Sequence, residues 1–432
     1  MTVVKHLEKV PAHRDAEAEQ QLKAAIDARR TELWAINQQI HSNPELGYEE
    51  YKAHDAICSL LESLGFTVAR NAYGLETAFC AEYGVGGRVV AYNAEYDALP
   101  GIGHACGHNL IATMSIAAFL GVAATMKARG LKEGRVRLIG TPAEEGGGGK
   151  LKIIDAGGFA DVDASLMVHP GPLSYDEGWD GDAYSPTLAN HKLRVRYEGV
   201  AAHAAVAPWE GTNALDAAVL AYTGIGVLRQ QMHPSSRVHC VIVEGGTRPN
   251  IIPSSTTLDC YIRSPTLKAA NDLLSKVENC FAGAAQQAGC KVDFDLINTY
   301  ADVRPNGPIS QLYADAMNAM GSRTRCDPSS PGAPASTDQG NVTYECPGFH
   351  GGIGIEAPPG CGNHTPGFTA SAGEEGAHEL SLIAAKGLAI TGWQILTDDA
   401  VAAAIRADFE ADKKRRQNPG VERLVVHRSG YC

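Results

Sequence analysis

The stretch 89-VVAYNAEYDALPGIGHACGHNLIATMSIAAFL-120 decides how the rest of the chain is read. It opens on a short apolar run, expected as a buried strand over 88–93. It then enters a loop dense in Gly, Pro and His over 98–108. Small apolar residues over 109–128 continue it as a helix. A strand, a polar loop and a helix in that order put reactive side chains at the carboxyl end of a strand, where open α/β sheets bind ligands. The loop carries Cys106 and His108, separated by one residue and flanked by glycines. Thiolate and imidazole are natural ligands for zinc and similar ions, and two of them at this spacing can converge on one ion. Asp97, just upstream, could hold a ligand imidazole in its correct tautomer. One Cys-x-His could equally be a turn with incidental polar residues, so the rest of the chain must decide.

Outward from this stretch, strands expected over 78–83, 135–141 and 164–168 alternate with helical patterns, which indicates an α/β sheet packed by helices. Towards the N-terminus, Leu22, Ile26, Leu33, Ile36 and Ile40 recur at helical spacing, so one long amphipathic helix is expected over 16–41, stopped by Asn43-Pro44. A further helix is expected over 54–64, before Gly65. The middle third follows a different order. Strand-like runs at 192–197, 238–243, 257–262 and 291–296 enclose helical stripes at 215–228 and 267–281. This β-α-β-β-α-β order is the split ferredoxin-like pattern. It divides the chain into a catalytic domain over 1–186 and 301–432 and an inserted α+β domain over 187–300. The last helices are expected over 372–396 and 398–415.

Four more places carry candidate chemistry. Glu144-Glu145 follows the strand ending near Thr141-Pro142. Adjacent carboxylates are costly to bury unless a cation neutralises them, and beside a metal one can ligate while the other takes a proton from water. His169 ends the apolar run Ala164–Val168, and His364 lies in a Gly/Pro-rich loop; each alone could be an ordinary turn or core residue. In the inserted domain His203 and Asn250 could polarise a carbonyl or bind a carboxylate, and Arg248 could help with the latter. The run Gly146–Gly149 before Lys150 is no phosphate loop, because Leu151 stands where a Ser or Thr is required and two carboxylates precede it. Its glycines more simply let the backbone pass close to the site.

Composition narrows the class. With 432 residues, two or three domains are expected, and a net charge of −12 argues against nucleic acid as the partner. No run reads as the ~20 apolar residues of a membrane span. The first residues show no apolar signal region, so a cytoplasmic protein is expected. Eleven cysteines without a Cys-x-x-Cys look like free thiols rather than a disulfide framework. The basic run Lys413–Arg416 reads as a solvated helix end.

Taken together, GHACGHN at 103–109, TPAEEGGGGK at 141–150, VHPGP at 168–172, AAHAA at 201–205, GGTRPNIIP at 245–253, STDQGNV at 336–342 and NHTPGF at 363–368 resemble the di-metal aminoacylase/carboxypeptidase/amidohydrolase family of metallopeptidases, family M20. The likeness is to the amidohydrolase branch that holds the aminobenzoyl-glutamate hydrolases and the peptidase-domain-containing protein 2 dipeptidases. It implies a mixed-sheet α/β catalytic domain with an inserted ferredoxin-like lid that also makes a homodimer. It implies two divalent ions, zinc or manganese with cobalt possible, held by Cys106, His108, Glu145, His169 and His364. Glu144 then matches the general base, and His203 and Asn250 match residues that reach the substrate. Many members carry Asp where this chain has Asn109, a subgroup mark that leaves one negative charge fewer beside the ions. The implied reaction is hydrolysis of an N-acyl amino acid or small dipeptide by metal-activated water. Three rivals stand beside it: the same site run as an amide-forming enzyme, an amidase with Cys106 as nucleophile, and a non-catalytic dimeric binding protein.

Overall fold

A computed structural model of the chain describes residues 14–173 and 178–417; the N-terminal residues read for a signal region lie largely outside these. In the first part of the chain run α1 (Ala16–Asp27), α2 (Arg30–His41), α3 (Tyr51–Ser63), β1 (Val68–Arg70), β2 (Phe79–Val85), β3 (Val89–Ala94), α4 (His108–Arg129), β4 (Gly134–Gly140), α5 (Gly149–Asp155), β5 (Ala164–Pro172) and β6 (Gly181–Asp182). There follow β7 (Ala189–Glu198), α6 (Ala214–Leu228), β8 (Arg237–Glu244), β9 (Ser255–Ser264), α7 (Leu267–Ala288) and β10 (Lys291–Tyr300). The chain closes with α8 (Gly307–Ala319), β11 (Thr324–Arg325), α9 (Gln339–Glu345), β12 (Gly348–Ile355), α10 (Pro366–Ala372), α11 (Glu375–Thr397) and α12 (Asp399–Gln417).

Two compact units result. One comprises Met1–Pro186, Val303–Ala333 and Asn341–Cys432, the other Thr187–Asp302 with Pro334–Gly340. That last segment was expected with the catalytic domain. It belongs to the inserted unit through backbone bonds such as Leu188 N–H to Ala335 O and through Arg263 to the Ser336 hydroxyl.

The first unit is built on an eight-stranded mixed sheet in the order β1-β2-β4-β3-β5-β12-β6-β11. Its centre is parallel, since β3 pairs in parallel with both β4 and β5, and β12 with β5. Chain order reverses direction across β3, so the crevice at the ends of β3, β4 and β5 is a topological switch point. The core strand β3 is buried at every position, as a strand covered on both faces must be. Against it lies α4, apolar all round and buried for nearly its whole length.

Several expectations need correction here. The N-terminal helix is two helices, α1 and α2, broken at Ala28–Arg29. All five apolar positions that suggested one helix are buried, but the break lets α1 pack on α4 and α11 while α2 packs on α4 and α3. Periodicity records which face is buried and is blind to a two-residue turn that preserves the phase. α4 and α11 are in fact long and apolar enough to cross a membrane, and both are largely buried inside the protein as core helices. Cys240 and Cys260, opposite each other on β8 and β9, are joined by a disulfide, so not every cysteine is a free thiol. The basic run is not wholly solvated either: the Arg416 guanidinium stacks 4.2 Å from the Tyr344 ring and pairs with Asp412.

The second unit is a four-stranded antiparallel sheet in the order β10-β7-β9-β8. Helices α6 and α7 cover one face around a separate core that includes Val195, Leu258, Ile262, Val277 and Phe281. This is the ferredoxin-like arrangement read from the sequence.

Candidate metal centre

The loops leaving β3 and β4, the carboxyl-terminal third of β5 and the loop after β12 bring together every residue expected as a ligand. Their ligand atoms form three overlapping groups, Cys106–His108–His169, Cys106–Glu145–His364 and His108–Glu144–Glu145, each with all atoms within 4.8 Å of one another. Cys106 Sγ lies 3.4 Å from His169 Nε2. His364 Nε2 lies 3.4 Å from Glu145 Oε1, and His108 Nε2 lies 3.9 Å from Glu144 and 4.0 Å from Glu145. His169 does not cap its strand as expected but lies within β5, opposite Gly352 of β12.

Four of the five expected ligands are held from behind, by side chain or backbone. Asp97 accepts a hydrogen bond from His108 Nδ1 at 2.9 Å through one oxygen and from the Glu145 backbone N–H at 2.8 Å through the other. One carboxylate thus sets a histidine tautomer on one loop and a carboxylate-bearing backbone on another. His169 Nδ1 is bonded to the Pro170 carbonyl at 2.8 Å, which leaves Nε2 directed at the cluster. Asn363 donates to the same carbonyl at 3.1 Å and so ties the His364 loop to β5. The His364 backbone N–H is held by Ala105 O at 2.8 Å, in a left-handed conformation with φ of 66°. In the glycine run, a Cβ on Gly149 would lie 1.8 Å from the Pro142 carbonyl oxygen, so only glycine lets α5 start this close to the Glu144 turn.

These residues fit a cation. His108 is fully buried, its Nδ1 is committed to Asp97, and its Nε2 has no hydrogen-bond partner among the described residues. A buried nitrogen facing three carboxylates and a thiol has the surroundings of a metal ligand rather than of a core contact. Burial opposes charge on His108, yet Asp97, Cys106 and Glu95 together outweigh it and lift the imidazole well above its usual value. Glu145 is pushed up by burial but held below the ordinary carboxylate range by His364 and His108. Burial pushes the Cys106 thiol up to about 12, so without a cation beside it the sulfur is a thiol at neutral pH.

Reading the sequence missed three residues at the base of this site. Lys150 is completely buried and pairs with Glu95, whose second oxygen lies 3.5 Å from His108 Nε2. Glu50 is buried and accepts from the Ala143 backbone N–H. Burial, then Asp97, pushes its carboxyl up to about 7. In sequence Glu50 ends an acidic pair that looks solvated, and Lys150 follows a loop; no local pattern marks either as buried.

His203, Asn250 and Arg248 lie in the inserted unit. The turn after His203 and the loop at Asn250 are zipped together by a His203–Ile251 bridge and by Ala204 N–H to Asn250 O at 3.1 Å. His203 Nδ1 accepts the Ala205 and Val206 N–H groups, each at 3.2 Å. The ring proton is thereby placed on Nε2, which makes this exposed histidine a hydrogen-bond donor. Asn250 and Arg248 are exposed beside it.

Comparison with known proteins agrees with this chemistry. The model of peptidase family M20/M25/M40 matches residues 91–386. A mouse (Mus musculus) protein named Xaa-Arg dipeptidase is 40% identical over 407 residues, covering 91% of this chain and 92% of that protein. One of the p-aminobenzoyl-glutamate hydrolase subunits of Escherichia coli (strain K12) is 35% identical over 315 residues, 69% of this chain and 64% of its own. Among solved structures, the YXEP protein of Bacillus subtilis, described as a dinuclear metal-binding peptidase, aligns with a TM-score of 0.62 at 21% identity, covering 86% of this chain and 99% of that one.

Proposed function

The chain belongs to peptidase family M20/M25/M40, and from that premise we propose that it cleaves the amide bond of a small dipeptide or N-acyl amino acid with Glu144 as general base. Metal-dependent amide hydrolysis is the activity common to the family and to the relatives named above. The single observation that supports the finer reading is the convergence of Cys106, His108, Glu144, Glu145, His169 and His364 in three overlapping groups whose ligand atoms lie within 4.8 Å of one another.

Two divalent ions held by these five side chains would polarise the amide carbonyl and lower the pKa of water towards neutrality. Zinc or manganese, with cobalt as a third choice, suits a mixed thiolate, imidazole and carboxylate set. Glu144 takes the proton of the attacking water and returns it to the departing amine nitrogen. Asp97 keeps His108 and the Glu145 backbone in register during both transfers. In the inserted unit His203, a donor through its Nε2–H, is of the kind that could stabilise a developing oxyanion, and Asn250 and Arg248 are of the kind that could hold a carboxylate. The near full-length match to the Xaa-Arg dipeptidase favours a dipeptide with a basic carboxy-terminal residue over an aminobenzoyl-glutamate type of substrate.

A Cys106 nucleophile is the second reading, because Cys106 and His169 make a close pair. It leaves Glu144, Glu145 and His364 without a role, and the buried thiol is poorly ionised on its own. Iodoacetamide that abolishes turnover in a chain insensitive to chelator would establish it. An amide-forming direction shares the site, and net formation of amide from free amine and acid, measured as an initial rate, would distinguish it from hydrolysis.

The inserted unit is proposed as the dimer interface. Its edge strand β8 exposes Val241 and Val243, and α6 exposes Val219, Leu220, Tyr222 and Val227, an apolar face of the kind that a second copy covers. A cytoplasmic location is proposed from the eight free cysteines among the described residues, and cell fractionation tests it.

The decisive experiment compares wild type with Glu144→Gln on a panel of Xaa-Arg dipeptides and N-acyl amino acids. The variant is expected to bind metal as wild type does and to lose about 10²–10⁴-fold in kcat. A variant that binds metal and keeps near-normal turnover removes Glu144 from the mechanism.

A further inference from the structure

We propose that Glu50 is the positioning residue of the general base: its carboxylate holds the turn Pro142–Ala143–Glu144 in the one conformation that presents Glu144 to the metal centre. The inference rests on the reading of Glu144 given above.

Ala143 has a φ of 58°, in the left-handed region that a residue with a Cβ avoids. Such a conformation persists only where its surroundings impose it. The imposing contacts come from one short segment of chain between α2 and α3. Glu50 Oε1 accepts the Ala143 N–H at 2.8 Å. Its Oε2 accepts the Thr77 hydroxyl at 2.8 Å, which fixes the rotamer of the carboxylate. Gly47 lies so close that a Cβ there would stand 2.9 Å from Ala143 Cβ. Tyr48 donates its hydroxyl to the Gly147 carbonyl at 2.8 Å, on the far side of the Glu144 turn. Glu45 meanwhile accepts the Ala98 N–H at 2.8 Å through its backbone carbonyl, next to Asp97. Residues 45–50 therefore bracket both the loop that carries the base and the loop that orients His108.

Within that bracket Glu50 is the one side chain bonded to the strained residue itself, and it is completely buried. Burial and the nearby Asp97 make the position unfavourable for a carboxylate, as its raised pKa reflects. An apolar residue would suit the core better, but it would leave the Ala143 N–H buried without an acceptor and the turn free to relax. A relaxed turn moves Glu144, and displacement of a catalytic group by ~1 Å can cost about 10²-fold in rate.

The test uses three variants of the full chain: Glu50→Met, Glu50→Gln and the double variant Glu50→Met/Glu144→Gln. Methionine fills the space without an acceptor, whereas glutamine keeps an oxygen for the Ala143 N–H. The proposal predicts that Glu50→Met lowers kcat about 30–100-fold, with KM within about threefold and bound metal per chain unchanged. Glu50→Gln recovers most of the lost kcat. In the double variant the Glu50 substitution adds less than about threefold to the loss caused by Glu144→Gln, because both act through one group. A merely structural Glu50 would lower kcat by the same factor in both backgrounds, and that additive result overturns the proposal, as does a Glu50→Met enzyme with wild-type kcat. If Glu50→Met loses metal or fails to fold, Tyr48→Phe takes its place, with the same expected kcat loss in direction and the same non-additivity with Glu144→Gln. An active Glu144→Gln enzyme would instead refute the base itself, a separate failure seen before any Glu50 variant is made.

Discussion

Asp97 is the residue on which the geometry of the centre turns. Its two oxygens serve two loops, one bond orienting the His108 ring and the other holding the Glu145 backbone. Replacing it with alanine should loosen both ligands at once. The expected result for Asp97→Ala is about 10–100-fold weaker metal affinity, measured by competition with a chelating dye. Unchanged affinity would show that the ligands hold themselves. At this scale most of the site was legible in the sequence, for a physical reason. Cys106, His108 and Glu145 are reactive polar side chains in or at the end of glycine-rich loops after strands, where solvated surface would more cheaply carry Ser, Lys or Asn; His169, within β5, stood out only beside them. His364 carried almost no signal by itself and gains meaning only beside Glu145. Glu50, Glu95 and Lys150 were illegible, because a buried charge is defined by what surrounds it and no local spacing encodes that.

At the scale of the element, helical periodicity gave the buried faces correctly and the boundaries less well. Ile26 of α1 is fully buried against α4, and Ile26→Ala should cost about 2–5 kcal/mol through lost burial and the cavity it leaves. A thermal midpoint within about 1 °C of wild type would show that α1 contributes little to the core. On α11, His378 is buried with its ring 5.0 Å from that of Trp34. Burial pushes its imidazole down to about 4 from an ordinary value of 6.5. The folded state therefore favours the neutral ring. The stability tied to it is complete above pH 6.5 and is lost as the pH falls from there towards about 4. His378→Met should lose less of its thermal midpoint than wild type between pH 7 and pH 5. Parallel midpoint curves for the two proteins would rule that effect out. The break between α1 and α2 escaped detection because Leu33, Ile36 and Ile40 continue the stripe across it.

The whole molecule was legible in outline because its two units obey different rules. One has strands buried on both faces and the other has strands that alternate, so a change of period marks the insertion. The return of Pro334–Gly340 to the inserted unit has no such mark, since it is loop sequence whose place is set by hydrogen bonds to distant residues. The proposed dimer makes its own prediction at this scale. Leu220→Glu together with Val227→Lys should convert a dimer into a monomer by sedimentation velocity, because unpaired charges cannot be buried in an apolar interface. A dimer of undiminished stability would place the interface elsewhere.

The central claim is that amide cleavage runs on ions held by the five convergent ligands. It is tested most directly by stripping the chain of metal with a chelator and measuring dipeptide turnover as zinc or manganese is restored. The account predicts no turnover in the stripped chain and a rise that saturates at about two ions per chain. Turnover that persists in the metal-free chain, at a rate unaffected by added ions, would contradict it.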